Sequence, residues 1–342
     1  MRRRPSKSPW LAAGLFAAGL VPLLARARRR ISLSGRTALI TGGSRGLGLL
    51  LAEEFARRGA GVVICARGKE ELERAEERLR ALGAEVVAVQ ADLTQPTDVR
   101  VVAEAARDAF GRVDFLVNNA GVIEVGPEMD MTTDAYERAF ALHVFAPLRL
   151  IQELLPEMRA RRGGHIVNIS SIGGVVSVPH LLPYCASKFG LTGLSEGLRA
   201  ELAAYGITVT TVCPGLMRTG STAHAYFHGR SRREHAWFAL SAALPLFSMS
   251  ARRAASRIVS AAVRGQAHLV LSWQAKVLAL AHGLFPGATA GALGWVNRLL
   301  PAADPGAKER IPAHFAESKL APSWLTRLND RAAVRNNEVD PE

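Results

Sequence analysis

The stretch Thr41-Gly-Gly-Ser-Arg-Gly-Leu-Gly48 decides the fold of this chain. It follows the apolar run Thr37–Ile40 and opens the helical pattern Gly46–Arg58, so a strand leads through a glycine turn into a helix. Glycine permits backbone angles that a Cβ would forbid, and a helix N-terminus offers free N–H groups and a partial positive charge. We therefore predict a cradle for the pyrophosphate of a dinucleotide rather than an ordinary glycine turn. The predicted contacts are Thr41, Gly42, Ser44, Arg45, Gly46, Leu47 and Gly48.

Short apolar runs recur on both sides of this loop between residues 34 and 272, and longer helical patterns separate most of them. The runs are Thr37–Ile40, Val62–Cys65, Val86–Val89, Val113–Val117, His165–Ile169, Thr208–Val212 and His268–Leu271. Strands that alternate with helices predict a parallel sheet covered on both faces. We expect an α/β, Rossmann-type doubly wound fold: a seven-stranded parallel sheet with helices on both faces and the cofactor at the carboxyl ends of the strands.

The end of the second predicted strand distinguishes the two nicotinamide dinucleotides. An NAD site usually places an acid there to bind the ribose hydroxyls. Here Val62–Cys65 continues into Ala66 and Arg67, without a carboxylate. Arg67 and Arg45 are placed to meet a 2′-phosphate from two sides, because guanidinium groups match phosphate geometry. The pattern predicts NADP(H), and two solvated surface arginines are the plain alternative.

The ends of the third and fourth predicted strands carry further candidates. Asp92 can accept a hydrogen bond from the adenine amino group, or it can be the acid at a helix N-terminus ahead of Pro96, and both interpretations stay open. Asn118-Asn-Ala-Gly121 has small residues that allow close passage of a cofactor, and its amides can tie neighbouring strands together. We predict cofactor contacts at Asp92, Asn118, Ala120 and Gly121.

Tyr184 and Lys188 lie four residues apart on a predicted helix and so share one of its faces. A free tyrosine titrates at about pH 10, and a neighbouring ammonium is expected to lower its pKa toward neutrality. Tyr184 can then exchange a proton with a carbonyl or alcohol oxygen, while Lys188 holds the nicotinamide ribose. Ser171, thirteen residues before Tyr184, can donate a hydrogen bond to the reacting oxygen, with its neighbour Ser170 as the rival. An incidental Tyr/Lys pair explains the spacing alone, but not the serine and the glycine loop as well.

Together these motifs resemble the short-chain dehydrogenase/reductase family over about residues 34–272. The family pattern TGxxxGxG is matched at Thr41–Gly48, NNAG at Asn118–Gly121, the serine at Ser171 and YxxxK at Tyr184–Lys188. Pro214, Gly215 and Thr219 resemble the PGxxxT segment, which borders the nicotinamide carboxamide in the family. The resemblance implies a Rossmann-type sheet, hydride transfer with a nicotinamide, a homodimer or homotetramer, and support for NADP(H).

One position departs from the family pattern. The family usually carries a catalytic asparagine on the helix after NNAG, where it keeps a helix kink and a water in a proton relay to the lysine. Here the stretch 139–147 puts His143 in that place. Histidine titrates near neutrality, so it could preserve the relay, change its pH dependence or weaken it. We expect an active enzyme with an unusual pH profile; the alternative is an NADP(H)-binding scaffold or sensor with little turnover.

The net charge of +13 is concentrated at the beginning of the 342-residue chain. Residues 1–30 hold eight Lys and Arg and no acid, and Trp10–Ala25 between the two basic clusters is uncharged. A nucleic-acid-binding arm has no use for such an apolar stretch, whereas a membrane surface does, so we expect a membrane and not a nucleic acid. The three cysteines, Cys65, Cys185 and Cys213, form no metal-binding spacing and are expected to be buried thiols in a reducing compartment.

The chain divides into four segments. We expect a basic and apolar arm at 1–31, a catalytic domain at 32–272, an apolar extension at 273–300 and a polar, loosely ordered tail at 301–342. Val277–Val296 is twenty residues without a formal charge, long enough to span a bilayer. Its Phe285-Pro-Gly287 step could instead break it into two short helices in the membrane interface, and a helical flap or oligomer contact is the third option.

The segment 220–250 corresponds to a variable lid in the family. Its larger apolar residues are Tyr226, Phe227, Trp237, Phe238, Leu244 and Phe247, which could line an apolar substrate site or only pack the lid onto the body. We predict hydride transfer between NADP(H) and an apolar ketone or secondary alcohol, of an acyl, sterol-like or other lipid kind. The expected place is the cytoplasmic face of a membrane, and the alternative is a soluble cytoplasmic protein.

Deletion of residues 1–31 should move the protein from the membrane fraction to the soluble fraction. The reason is that the arm joins an apolar stretch to two arginine-rich flanks suited to anionic lipid. Fractionation of cells that make the full and the shortened chain measures the effect. An unchanged distribution would place the anchor in Val277–Val296 or show that there is none.

Overall fold

The structure of the chain is a computed structural model that describes residues 31–244, 248–304, 306–318, 321 and 326–339. The predicted anchor Trp10–Ala25 and the lid residue Phe247 lie outside the described residues.

Seven strands of the described chain form one parallel sheet. They are β1 (Thr37–Thr41), β2 (Gly61–Ala66), β3 (Val86–Gln90), β4 (Phe115–Asn118), β5 (Gly164–Ile169), β6 (Ile207–Pro214) and β7 (His268–Leu271). All seven predicted strands are present in this sheet. Their residues are largely buried and β-branched, which is typical of a sheet covered on both faces. The doubly wound, Rossmann-type prediction is therefore confirmed.

The strand order is β7-β6-β5-β4-β1-β2-β3, and every neighbouring pair runs parallel. The chain builds outward from β1 in one direction through β2 and β3, and in the other through β4 to β7. The order therefore reverses between β1 and β4, where the connections leave to opposite sides. A crevice opens at such a switch point, outside the carboxyl ends of the strands.

Helices cover both faces of the sheet. They are α1 (Gly46–Arg57), α2 (Lys69–Arg80), α3 (Pro96–Phe110), α4 (Thr133–Phe140), α5 (Ala146–Ala160), α6 (Leu182–Leu202), α7 (Ser231–Ala243), α8 (Ala251–Val263), α9 (Trp273–Leu284), α10 (Pro286–Asn297) and α11 (Arg327–Arg335). The apolar stripes of α1, α2 and α8 pack on one face, and those of α3, α5 and α6 pack on the other. Each of these six helices thus presents an apolar side to the sheet.

The described residues of the polar tail form regular structure to a greater extent than its composition suggested. Ile311–Pro312 pairs with Tyr226–Phe227, which also pairs with Glu124–Val125, so three short strands join the tail to the lid. Ala313 and Ala316 are buried against this small sheet. Arg310 stacks over Tyr226 and pairs with the buried Glu124 at 3.1 Å. A few small apolar residues and one guanidinium are enough to fix the segment.

The apolar stretch Val277–Val296 is broken in the middle. Helix α9 ends at Leu284 and α10 begins at Pro286, with Phe285 between them at φ −136° and ψ 64°. A residue that precedes proline is forced out of the helical region, so the break follows from the sequence. Among the residues described, no helix is long and apolar enough to cross a membrane. The stretch thus forms two short helices, as one of the interpretations expected; their placement in a membrane interface stays a prediction.

The three cysteines are buried, as the sequence suggested. Cys65 and Cys213 are fully enclosed in strands β2 and β6, and Cys185 is 1% exposed on α6. Burial disfavours the charged thiolate, and it raises the pKa of Cys65 and of Cys213 to about 12. These thiols behave as small apolar side chains of the core.

Candidate active site

Thr41, the last residue of β1, joins the two strands that border the crevice. Its hydroxyl accepts hydrogen bonds from the backbone N–H groups of Asn119 and Ala120, at 2.9 and 3.0 Å. The Asn119 side-chain amide donates back to the carbonyls of Thr41 and Gly42, at 2.9 and 3.2 Å. The ends of β1 and β4 are thereby held together, and the glycine loop leaves from a fixed point.

The glycine loop is shaped by close approach of main chains. Gly42 has φ +62°, and a Cβ on it would lie 2.9 Å from Ala120 Cα. A Cβ on Gly48 would collide with the carbonyl of Gly42. Helix α1 starts at Gly46, and no side chain of its N-cap residue accepts a hydrogen bond from the first N–H groups of the helix. The main-chain donors of this cradle suit the phosphates of a dinucleotide, and the Glu338 carboxylate lies over Gly46 in the structure.

A cavity of about 690 Å³ runs from this cradle along the carboxyl ends of the strands. It brings together every predicted site residue except Thr41 and Asn118. Those that line it are Gly42, Ser44, Arg45, Gly46, Leu47, Gly48, Arg67, Asp92, Ala120, Gly121, His143, Ser171, Tyr184, Lys188, Pro214, Gly215 and Thr219. Residues that are more than 100 positions apart in the chain thus meet in one space.

Asn118 does not reach the cavity, so its predicted cofactor contact is not supported by its position. Its amide donates to Asn168 Oδ1 at 2.8 Å, and Asn168 donates to Ser195 Oγ at 3.1 Å. Asn118 therefore ties β4 to β5 and α6, which is the strand-tying role foreseen for the motif. Asn119 lines the cavity instead. Successive residues of a strand point to opposite sides, and this alternation could have separated the two amides in the sequence.

The far end of the cavity carries the groups predicted to recognise the adenosine half. Arg67 is exposed at the end of β2, while Arg45 lies 3.1 Å from Glu71 Oε1. Asp92 Oδ1 accepts hydrogen bonds from the N–H and hydroxyl of Thr94, at 3.0 and 2.8 Å. The carboxylate thus shapes the turn before α3 and also faces the cavity, so both interpretations of Asp92 remain compatible with its position.

Ser171, Tyr184 and Lys188 converge at the other end. Ser171 Oγ accepts the Gly173 N–H at 3.0 Å, and both Ser171 and Tyr184 line the cavity. Lys188 Nζ donates to the carbonyl of Ile169 at 2.8 Å and lies 5.7 Å from the centre of the Tyr184 ring. The rival, Ser170, is engaged elsewhere, with its hydroxyl 2.8 Å from Thr192 Oγ1. Of the two serines, Ser171 faces the tyrosine.

The expected lowering of the tyrosine pKa does not hold in the protein itself. Desolvation raises the pKa of Tyr184 to about 12, and the hydrogen bond from Ser171 offsets only part of this. Desolvation also lowers the pKa of the Lys188 ammonium to about 7. Both groups lose their charged forms for the same reason, because the cavity floor is apolar and enclosed. At neutral pH the phenol keeps its proton and the ammonium is partly discharged.

His143 lies in a π-helical turn, Ala141–Phe145, which forms the kink between α4 and α5. Its Nε2 accepts the backbone N–H of Val122 at 3.0 Å, and its Nδ1 is 2.7 Å from Ser187 Oγ. Because Nε2 accepts from a backbone donor, the neutral ring carries its proton on Nδ1 and donates it to Ser187. The ring stands edge-on to Tyr184, with centroids 5.5 Å apart. His143 thus links the π-helical turn to helix α6, which carries Tyr184 and Lys188.

The unusual pH profile that we expected from this histidine is not supported. Desolvation, and after it the positive charge of Lys188, holds the pKa of His143 well below 6.5. Protonation would also break the hydrogen bond from Val122, because Nε2 would become a second donor. The ring therefore stays neutral between pH 6 and 9 and contributes no titration there.

The lid supplies the apolar end of the cavity. Trp237, Phe238 and Tyr226 line it, so the substrate-site interpretation of these aromatics gains support, whereas Phe227 is fully buried in the small core under the lid. Glu234, on the same helix α7, accepts the Trp237 indole N–H at 2.6 Å. The remaining apolar lining residues of this end include Val178, Leu181, Ala242 and Leu278. The aromatic wall is thus held by a buried carboxylate.

Comparison with known proteins identifies the family to which the chain belongs. A family model described as short chain dehydrogenase matches residues 36–227, which is more than half of the chain. The chain belongs to the short-chain dehydrogenase family. Oxidoreductase UcpA of Escherichia coli (strain K12) is 37% identical over 188 residues, which make up 55% of this chain and 71% of that protein.

Two solved structures share the fold of this dehydrogenase. A short-chain dehydrogenase from Streptomyces avermitilis has a TM-score of 0.67 at 33% identity, covering 77% of this chain and 97% of that one. L-sorbose reductase from Gluconobacter frateurii, complexed with NADPH and L-sorbose, has a TM-score of 0.64 at 29% identity. The match covers 71% of this chain and 97% of the reductase. The predicted family and fold are confirmed, and the chain is an oxidoreductase of this family.

Sequence reasoning missed a residue at the mouth of the dehydrogenase's cavity. Glu338, from the polar tail, is 6% exposed and lies 3.3 Å from Arg45 Nε. Desolvation and the nearby Glu71 raise the pKa of Glu338 to about 7, while Arg45 opposes the shift. The neighbouring Asn337 donates to the carbonyl of Ser44, 293 positions earlier in the chain. No pattern in the sequence predicts a contact between residues so far apart in the chain.

Replacing His143 by asparagine should make the free energy of unfolding fall less as the pH is lowered. Below about pH 6.5 the unfolded chain binds a proton at His143 that the native chain excludes, so stability falls with decreasing pH. Between pH 7.5 and 5.5, His143→Asn should therefore lose about 1.4 kcal/mol less free energy of unfolding than the wild type. Urea unfolding at the two pH values measures this, with the exposed His314→Asn as the matched control. Equal losses in wild type and variant would mean that His143 is protonated inside the fold.

Proposed function

We propose that this short-chain dehydrogenase is an NADP(H)-dependent oxidoreductase that interconverts an apolar ketone and its secondary alcohol at a membrane surface. The observation that carries the proposal is the convergence of Ser171, Tyr184 and Lys188 on the same cavity that the glycine loop opens into. A phosphate cradle at one end and a proton donor at the other are what such a reaction needs.

The side chains at the Tyr184 end can handle the proton of the reaction. A nicotinamide bound along the cavity supplies or accepts the hydride. The hydroxyls of Ser171 and Tyr184 line the cavity and can hold the reacting oxygen by two hydrogen bonds. With a pKa of about 12, Tyr184 keeps its proton at neutral pH and can donate it to the oxygen of a ketone. Lys188, one helical turn away, stabilises the phenolate that remains.

Two arginines at the opposite end favour NADP(H). Arg67 and Arg45 line the cavity where the second strand ends, and the described part of that strand carries no acid. Planar guanidinium groups match the oxygens of a 2′-phosphate. Support also comes from L-sorbose reductase, a structural relative at 29% identity that was solved with NADPH.

The shape and lining of the lid end favour an apolar substrate. Trp237 and Phe238 on α7 and Leu278 on α9 all line the cavity. Such a surface binds hydrocarbon by desolvation and leaves the hydroxyls of Ser171 and Tyr184 as the polar groups at the reacting oxygen. An acyl chain or a ring system with one carbonyl fits this distribution better than a sugar does.

Helices α9 and α10 supply the argument for a membrane surface. Their outer sides expose Trp273, Leu280, Phe285 and Trp295 by more than 60% each, and the stretch Val277–Val296 has no charge. A group of exposed large apolar side chains usually marks an interaction site. Two short apolar helices with tryptophans can lie within the headgroup region of a bilayer. Because α9 also lines the cavity, an apolar substrate would pass from lipid to the active site over a short path.

Removal of the Tyr184 hydroxyl should abolish turnover without preventing cofactor binding. We expect Tyr184→Phe to oxidise NADPH at least about a hundredfold more slowly than the wild type in a screen of apolar ketones in detergent, since the proton donor is lost. Absorbance of the reduced nicotinamide measures the rate, and Tyr205→Phe, which alters a tyrosine outside the cavity, is the control. Tight NADPH binding by the wild type with no oxidation of any ketone would favour the scaffold or sensor alternative instead.

Arg67 should discriminate between the two cofactors. Because its guanidinium would meet the 2′-phosphate, Arg67→Ala should weaken NADPH binding about tenfold more than NADH binding. Titration calorimetry gives both dissociation constants, and Arg100→Ala, an exposed arginine on α3, controls for the change in net charge. An equal loss for both cofactors would remove the argument for NADP(H) at this position.

A further inference from the structure

The C-terminal helix and the residues after it cross the mouth of the cofactor site. We call α11 with residues 336–338 the strap. On its outer side Asn329 Nδ2 donates to Thr222 Oγ1 at 2.9 Å, and Asn336 Nδ2 donates to the carbonyl of Thr219 at 2.9 Å. Both contacts fasten the strap to the lid segment that follows β6. The chain after α11 then turns inward toward the glycine loop.

The inward end of the strap is bound to the glycine loop by its main chain and side chains. The backbone N–H of Gly46, the first of helix α1, donates to the carbonyl of Asn336 at 2.8 Å. Asn337 sits in the left-handed region at φ +60°, and its amide donates to the carbonyls of Ser44 and Glu71, each at 2.8 Å. The strap therefore uses a donor at the positive end of the helix dipole, where an anion would bind.

The carboxylate of Glu338 lies at the N-terminus of α1, the kind of place where a phosphate binds. It lies 3.3 Å from Arg45 Nε and directly above Gly46, where a Cβ would touch it. Carboxylates and phosphates accept charge-assisted hydrogen bonds from the same guanidinium groups. Arg45 also contacts Glu71, so its guanidinium is already shared by two carboxylates of the chain. A dinucleotide phosphate and Glu338 cannot both hold Arg45 at this position.

The strap is fastened by several hydrogen bonds, and its charged end, Glu338, is the part that an incoming phosphate would meet. Glu338 is enclosed and has Glu71 as a second acid near its guanidinium partner. Its other titratable neighbour is His224, whose Nε2 lies 2.6 Å from the Glu338 carbonyl oxygen and 3.4 Å from Glu338 Oε2. Burial raises the pKa of Glu338 and lowers that of His224, so neither group is held firmly in its charged form. A phosphate brings more negative charge and more acceptor oxygens to the same donors.

We infer that the strap is an intramolecular competitor of the dinucleotide, in which Asn336 O and the Glu338 carboxylate occupy Gly46 N–H and Arg45 until the phosphates of the cofactor displace them. The inference rests on the proposed function, since it names a regulation of the same cofactor site. The competition lowers the apparent affinity for the dinucleotide, and it does so most for the form with a 2′-phosphate, because that form needs Arg45.

Two substitutions in the full chain weaken the strap in different ways. Glu338→Gln removes the charge and keeps the shape. Asn337→Gly removes the side-chain anchor, and glycine tolerates the positive φ. Each should lower the dissociation constant of NADPH about fivefold, with a smaller change for NADH, because binding no longer has to displace a charged or anchored strap. Titration calorimetry measures both cofactors, and Glu317→Gln, an exposed acid on the tail, is the matched control.

The possible outcomes separate this inference from the proposed function. Tighter NADPH binding in both strap variants but not in Glu317→Gln supports the inference, as does binding that only the strap variants show. Unchanged or weaker binding overturns it and leaves the proposed function intact; weaker binding would mean that the strap closes over the bound cofactor. Failure of every form, wild type included, to bind either dinucleotide overturns both proposals.

Hydrogen exchange on the wild-type chain gives a second measure. The end of the strap is buried against the glycine loop, with Glu338 6% exposed, so its amides are shielded from solvent while the strap is docked. NADPH should speed exchange in the peptide that contains residues 336–338 if it displaces the strap. Slower exchange with NADPH would overturn the competition.

Discussion

The hydrogen bonds of Thr41 and Asn119 are the constraint on which the site depends. They join β1 to β4 at the point where the strand order reverses, and so they fix both walls of the crevice. The glycine loop starts from this joint, and Gly48 brings helix α1 so close to Gly42 that no side chain fits between them. A cofactor cradle made of main chain alone needs such a rigid origin, because its donors cannot move as side chains do.

Desolvation governs the chemistry at the other end of the cavity. The phenol, the ammonium and the imidazole of Tyr184, Lys188 and His143 are all driven toward their neutral forms by the same enclosure. An ammonium that is easily discharged responds to small changes in its surroundings, whereas the imidazole does not respond at all near neutral pH. The enclosure therefore leaves the tyrosine and lysine as the titrating pair and makes the histidine a fixed part of the helix kink.

Local patterns were sufficient for the sheet and for most of the site. Buried strands, the glycine loop and the Tyr184–Lys188 spacing are each encoded within a few residues, so their positions follow from the sequence. The pKa values of Tyr184 and Lys188 did not follow, because they depend on how much protein surrounds them. The role of Glu338 could not be predicted, because its contact with Arg45 joins segments almost 300 positions apart. The polar composition of the tail suggested only a loosely ordered segment.

The burial of all three cysteines has a practical consequence. Thiol reagents attack the thiolate, and the enclosed thiols of Cys65, Cys185 and Cys213 are almost entirely protonated in the native chain. The chain contains no other cysteine. Alkylation therefore becomes possible only when the strands or α6 separate from their neighbours. The rate of labelling by an excess of reagent would thus report the opening of the core directly, without an added probe.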